Sequence, residues 1–292
     1  QGGFNIITGN PPWEVLKADS DDFFSKYDEK FRTRMPDDKK SAKQELLEDE
    51  GIAAEWEEYQ EQMEIRSEYF KKSDEYKLQH PTVAGRSAGN EKELSALFLE
   101  RCFELGGDDA KIAKILPGII FSGKLGKDLR MHLLNECSLQ IMPTFENRGI
   151  FEDIDNRFKF GIVVFENSGD TEEVLTKHQQ GNLDILRHID DEAARISRTV
   201  LEQYSPSARL FPYISSQREG EVLEKILSFP PIGEEDANWH ANPFRELDHN
   251  NDSDRFFEDA EKGEYPILGG GNVFQFAYDN TAISDLKEPK FW

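Results

Sequence analysis

The chain has 292 residues, 37% apolar and 32% charged, which allows one large domain or two smaller ones with a real core. Its 35 basic against 58 acidic residues give a formal net charge of -23, which repels nucleic acid at long range unless the basic residues are gathered locally or lie partly outside this segment. A salt-adapted acidic surface is the other explanation, held back by a normal lysine content. No run of about 18 apolar residues is present, which excludes a membrane-spanning helix. Gln1-Gly2-Gly3-Phe4 does not begin a secretory signal. Two cysteines, Cys102 and Cys137, cannot build a disulfide framework or a cysteine-rich zinc site, so a cytoplasmic protein is expected.

Phe4-Asn5-Ile6-Ile7-Thr8 reads as a buried strand, broken by Gly9-Asn10-Pro11-Pro12-Trp13, where consecutive prolines forbid helix and stiffen the loop. A strand this early and a chain ending on Phe291-Trp292 suggest an internal piece of a longer protein, natural or trimmed. Residues 19–45 are polar with weak structure signals. Over 46–72, Ile52, Trp56, Tyr59, Met63 and Phe70 mark one apolar helix face, opposite a solvated face of Glu57, Glu58, Glu61, Glu64 and Glu68. Residues 81–90 are loop-like.

Leu94, Leu97, Phe98, Arg101, Cys102 and Leu105 then form the cleanest helical stripe, stopped by Gly106-Gly107, with Cys102 as a packed thiol. Lys111–Leu116 reads as a strand ended by Pro117, 126–137 as a helix, and Ser138–Phe145 and Phe158–Phe165 as strands. Helix and strand alternate as in α/β folds. Residues 172–229 look mostly helical, and 230–292 suggest a loop-rich module.

The chemistry concentrates in Asn10-Pro11-Pro12-Trp13. Ligands of an α/β sheet sit beyond the carboxyl ends of its strands, where this loop falls. The Asn10 side-chain oxygen and the Pro11 carbonyl are two acceptors, and Trp13 offers a flat face. Together they suit a planar ring with an exocyclic amine, as in adenine or cytosine. Accepting both N–H bonds would localise the amine lone pair, after which attack on an activated methyl group requires mainly alignment, worth about 7–11 kcal/mol. Such a base must leave the duplex, and stacking on Trp13 returns about 1–3 kcal/mol of that cost. Neither cysteine follows a proline, so a carbon-5 cytosine mechanism is disfavoured. A rigid turn with a core tryptophan is the bland alternative.

These residues, with the strand Phe4–Thr8 before them, resemble the amino-group DNA methyltransferases, most of all the adenine-specific enzymes of type IIG restriction–modification systems and the methylases of the BREX and DISARM phage-defence systems. Leu94–Leu105, Ile115–Ser122, Phe145–Arg148 with Gly149-Ile150-Phe151, and Phe158–Phe165 resemble later parts of that catalytic domain, and Tyr265–Phe276 resembles the opening of a target-recognition region. The resemblance implies an α/β, partial Rossmann-like class I methyltransferase fold. The catalytic half would span 1–166 with a helical insertion at about 20–90, followed by a helical connector over 167–229 and the beginning of target recognition over 230–292. It further implies S-adenosylmethionine as methyl donor, held mainly by a segment upstream of the catalytic strand and touched here by Asn10. Double-stranded DNA and restriction or phage-defence subunits are the implied partners. The piece alone would then be inactive.

Lys124, Lys127, Arg130 and Arg148 are candidate phosphate contacts, with ordinary surface charge as the competing explanation. The histidines lack metal-ligand spacing. His240 and His249, beside Asp248, Asp252 and Asp254, make only a poor metal site, so no metal is expected. Three other functions compete with adenine methylation: transfer to cytosine N4, methylation of a protein glutamine, and a DNA-binding scaffold with a vestigial loop. The roughly 120 residues after Phe165 argue against the glutamine enzymes.

Overall fold

The computed structural model describes residues 2–88, 92–152, 154–231, 247–248, 251–263, 265–268 and 290–291. The chain forms two compact units, Gln1–Phe229 and Pro230–Trp292. The first contains, in order, β1 (Phe4–Gly9), α1 (Ser20–Phe24), α2 (Pro36–Leu46), α3 (Glu50–Lys72), β2 (Thr82–Val83), β3 (Arg86–Ser87), α4 (Leu94–Leu105), β4 (Gly106–Pro117), α5 (Ile119–Ser122), α6 (Lys127–Asn135), β5 (Ser138–Ile141), β6 (Thr144–Glu146), β7 (Lys159–Glu166), β8 (Glu173–Thr176), α7 (Ile189–Glu192), β9 (Ala194–Ser197), α8 (Arg198–Tyr204) and α9 (Gln217–Leu227). In the second, β10 (Pro266–Ile267) pairs antiparallel with β11 (Lys290–Phe291).

A seven-stranded sheet runs β1-β4-β7-β5-β8-β9, with β6 also on β7. β1 is parallel to β4 and β5 to β8, whereas β7 is antiparallel to β4, β5 and β6, and β9 to β8. Five strands therefore share one direction, and β7 is a reversed strand inserted between β4 and β5. This is the partial Rossmann-like α/β arrangement that the resemblance implies.

Sequence alternation explains the packing. Ala110, Ile112 and Leu116 of β4 turn to the main core with Leu99 and Cys102 of α4, Leu129 and Leu133 of α6, and Val163 and Phe165 of β7. Cys102 is buried as its spacing suggests. The expected stripe is corrected: Phe98, Arg101 and Leu105 are exposed, and the helix instead buries Ser95, Ala96, Leu97, Leu99 and Glu100 with Cys102, Glu100 being drawn inside by bonds from the Leu78 amide and Gln79. Residues 19–45 are more ordered than their polarity suggests. Asp19 and Asp49 cap α1 and α3, each side chain accepting two backbone N–H bonds. Phe23, Phe24 and Phe31 close around Trp56 to give the insertion its own aromatic core.

Two further expectations are corrected. β1 is an exposed edge, with Phe4 62% and Ile6 70% accessible, so its apolar residues mark an uncovered strand rather than a buried one. The expected helical connector over 167–229 carries β8 and β9, which extend the sheet. Four-residue strands leave too few alternations for a period to be read.

Just past the carboxyl end of β8 and beside the amino end of β6, His178 is buried. Thr176 donates its hydroxyl to the Met142 carbonyl (2.7 Å) and so accepts from His178 Nε2 (2.9 Å). Thr144 Oγ1 accepts from the Gln179 amide (3.2 Å) and donates to His178 Nδ1 (2.8 Å). The network leaves a proton on Nε2 only, and burial holds the imidazole down at about 4. Between that value and the unfolded value near 6.5 the unfolded chain binds the extra proton, so this stability is complete above 6.5 and lost as pH falls towards 4. The stability gap between the parent and His178→Asn, measured by urea unfolding, should therefore narrow by about 2–3 kcal/mol from pH 7 to pH 4.5.

Candidate base-binding site

The Asn10–Trp13 loop leaves the carboxyl end of β1, the ligand-binding end of a parallel pair. It is anchored on both sides. Upstream, Thr8 and Gly9 lie in register with Ala113 and Lys114 of β4. Downstream, the Leu94 amide donates to the Glu14 carbonyl (2.9 Å) and the Leu16 amide to the Lys92 carbonyl (2.7 Å), with a bridge between Val15 and Glu93. Asn10 and Pro12 are exposed, Pro11 is buried and Trp13 half-buried. The loop is a rigid span presenting Asn10 to solvent.

Two ionisable groups at the anchors escaped sequence reasoning. Lys114 is buried, and its ammonium would lie 3.6 Å from a β-carbon placed on Gly9, whose φ of +155° already disfavours a side chain. Glu93 is pushed up to about 7 by burial, partly offset by Ser95. Neither has a neighbouring motif that would have flagged it.

Trp13 is not a bare plate, as expected from sequence, but the hub of an aromatic cluster. Phe158 stacks on its face with centroids 5.3 Å apart and planes 10° from parallel. Phe151 meets it edge-on at 5.3 Å and 80°, and Phe160 lies at 6.1 Å. Phe145, Ile185 and Ile189 complete the cluster from the far side. Among the described residues the buried indole Nε1–H has no hydrogen-bond partner, so an acceptor brought by a ligand would satisfy it. Phe158 keeps 37% of its surface exposed and is the ring that could yield Trp13 to an incoming base. Its position before β7 gave no sequence signal beyond strand propensity.

The basic candidates separate. Lys124 is exposed. Lys127 Nζ donates to the Thr82 carbonyl of β2 (2.5 Å). Arg148 forks onto its neighbour Glu146 (2.7 and 3.0 Å), so its charge is already paired. Arg130 cannot contact DNA. It is fully buried, donating to the carbonyls of Arg209 (2.6 Å), Ala208 (2.7 Å) and Ile120, and burial lowers it to about 10. Of the stretch Tyr265–Phe276, residues 269–276 lie outside the described residues, as do His240 and His249. Among the described residues no helix is long and apolar enough to cross a membrane.

No family model and no curated protein matches the chain. Its fold is similar to solved restriction–modification proteins. The type I restriction enzyme EcoKI M protein shares 13% identity over 50% of this chain and 42% of its own, with a TM-score of 0.35. A modification subunit of a putative type I restriction enzyme from Vibrio vulnificus YJ016 shares 16% over 50% and 37%, at 0.34. The type IIG restriction endonuclease BpuSI shares 22% over 41% and 16%, at 0.33. The chain thus spans less than half the length of each, and similarity this low leaves the reading of the site to its own residues.

The Arg130 geometry gives a direct test. Arg130→Met strands three buried carbonyls and should cost about 3 kcal/mol in urea unfolding. If the chain binds DNA, the salt dependence of that binding by the folded variant should match the parent, because no phosphate contact is removed.

Proposed function

We propose that the chain is the base-binding half of a site-specific DNA methyltransferase that uses S-adenosylmethionine to methylate the N6 amine of adenine, in restriction–modification or phage defence. The observation that carries this reading is the Asn10-Pro11-Pro12-Trp13 loop, fixed at both ends at the carboxyl edge of a parallel strand, with Phe158 stacked on Trp13 and Phe151 edge-on to it.

In this reading Asn10 Oδ1 and the Pro11 carbonyl accept the two N–H bonds of the adenine amine. The lone pair, otherwise spread into the ring, is localised and aimed. Prolines on both sides of the second acceptor fix its direction before substrate arrives, which is where alignment gains its energy. Trp13 and Phe158 part to take the flipped base between them, and the base replaces the ring contact each gives up. The amine nitrogen would gain the methyl carbon as the donor's sulfonium S–C bond breaks, its electron pair staying on sulfur to leave S-adenosylhomocysteine, and would release one proton to water.

S-adenosylmethionine supplies the activated methyl group. The residues present fit its reacting end only. Asn10 is exposed, and β1 is the terminal strand of the sheet, with Phe4 and Ile6 uncovered. Parallel strands are ordinarily covered on both faces, and a bare apolar edge is a template for another strand. The donor pocket is therefore assigned to a further parallel strand that docks on β1 and brings its own loop beside Asn10. Lys124, Lys127 and Arg148 are proposed DNA-backbone contacts. The last requires release from Glu146.

The test is transfer of labelled methyl groups to unmethylated genomic DNA by the full natural chain containing this segment. Asn10→Ala should lower the rate at least about 100-fold, in the range lost when a positioned polar group is removed from a transition state. DNA affinity should stay within about twofold of the parent, since phosphate contacts dominate it. Unchanged transfer by Asn10→Ala would overturn the assignment and favour a scaffold role.

A further inference from the structure

Of the three rings against Trp13, Phe160 belongs to β7, while the two nearer ones, Phe151 and Phe158, belong to the excursion between β6 and β7, and one buried side chain ties that excursion together. Asn147 follows β6 and is fully buried. Its Nδ2 donates to the carbonyls of Phe151 (2.8 Å) and Ile154 (2.6 Å), with Asp155 O at 3.4 Å. Its Oδ1 accepts from the Phe151 amide (2.6 Å). The Asn147 backbone amide donates to the Phe158 carbonyl (2.8 Å), and its carbonyl accepts from Ile150 (2.7 Å). The Phe158 amide donates in turn to the Asp155 carbonyl (2.9 Å). Phe151 is thus clasped at both its amide and its carbonyl by a single carboxamide, and Phe158 is held at both ends by groups that Asn147 fixes. Every polar group of Asn147 is occupied.

From this geometry we infer that Asn147 is a positioning residue: it sets the spacing of the aromatic slot at Trp13 by holding Phe151 and Phe158 against the indole. The requirement is specific to a carboxamide. The site needs two donors aimed at carbonyls and one acceptor aimed at an amide, on a side chain two carbons long. Aspartate has the shape but would turn an oxygen towards two carbonyls, and alanine has none of the groups. The turn that follows adds a constraint, since Arg148 and Gly149 lie at φ +36° and +86°. A non-glycine residue there is uncommon and persists when surrounding bonds over-determine it. Asn147 touches no substrate in this account. It acts through the rings, so its role rests on the base-binding reading of the Asn10 loop.

The experiment separates the two claims by using an optical readout of the slot beside a kinetic one. The full natural chain is prepared with Trp56, Trp239 and Trp292 of this segment, and any tryptophan outside it, replaced by phenylalanine, so that emission reports Trp13. In Asn147→Asp the emission should move to the red by several nanometres and acrylamide quenching should rise about twofold. The rate constant for methyl transfer should fall at least tenfold, while the KM for S-adenosylmethionine and the affinity for genomic DNA stay within twofold. Asn147→Ala should give the same direction, with circular dichroism confirming a folded chain. Unchanged emission overturns the inference. So does altered emission with full transfer, provided Asn10→Ala abolishes transfer. Loss of helical signal together with all affinities would make Asn147 a general stability residue and overturn it as well. If Asn10→Ala retains transfer, the base-binding reading has failed, and the emission data still decide whether Asn147 sets the slot.

Discussion

Trp13 is the contact on which the site depends. It stands at the end of a loop that the prolines make stiff, and its indole is gripped by rings from a segment more than 130 residues later in the chain. One packing interaction therefore joins the strand that begins the unit to the excursion that leads into the reversed strand at the middle of the sheet. Because the ring is held on its edge and one face, the loop before it has little freedom, and Asn10 points outward from a fixed base. The same grip explains why the aromatic surface is not openly displayed: Phe158 covers one face of the indole.

The reversed β7 makes that contact possible. Running against β4 and β5, it brings Phe158 and Phe160 to the end of the sheet where β1 delivers its loop. A parallel strand in this place would have carried them to the opposite end. Behind it, the neutral imidazole of His178 joins β6, β8 and the segment near Ile214, steadying the strand from which Asn147 departs. Backbone topology, a buried histidine and a buried amide thus act in series on the position of two rings.

Much of this was legible in the sequence, and the gaps have physical causes. The β7 strand and the Asn10 loop could be read because each rests on local composition or on a motif, whereas on α4 the helix could be read but not its buried face, since Glu100 is drawn inside by bonds from the Leu78 amide and Gln79 while Phe98 and Leu105 stay exposed. The exposure of β1 could not, since apolar residues look alike whether they face a core or an unfilled edge. Arg130 was misread for a related reason: its partners are the carbonyls of Ala208 and Arg209, almost 80 residues away, and a basic residue among basic residues reads as surface. The insertion seemed weakly structured because its core rests on few apolar residues, chiefly Phe23, Phe24, Phe31 and Trp56, in a polar background. Asn147 stood only within the resembling stretch Phe145–Arg148, with no role of its own, because its work is done through a loop closure that only the fold reveals. Net charge is the remaining tension. A chain at -23 approaches DNA only through local basic groups or through segments outside this one, and the loss of Arg130 from the candidate surface shifts weight towards the latter.

The most direct measurement is the chemistry itself. The full natural chain would be expressed in a host that lacks DNA methylation, and modified bases in the host genome mapped by single-molecule sequencing. The account predicts N6-methyladenine at one recurrent sequence. An unmodified genome, with a folded protein that binds S-adenosylmethionine, would contradict it, and methylation at cytosine N4 would keep the loop chemistry while correcting the base.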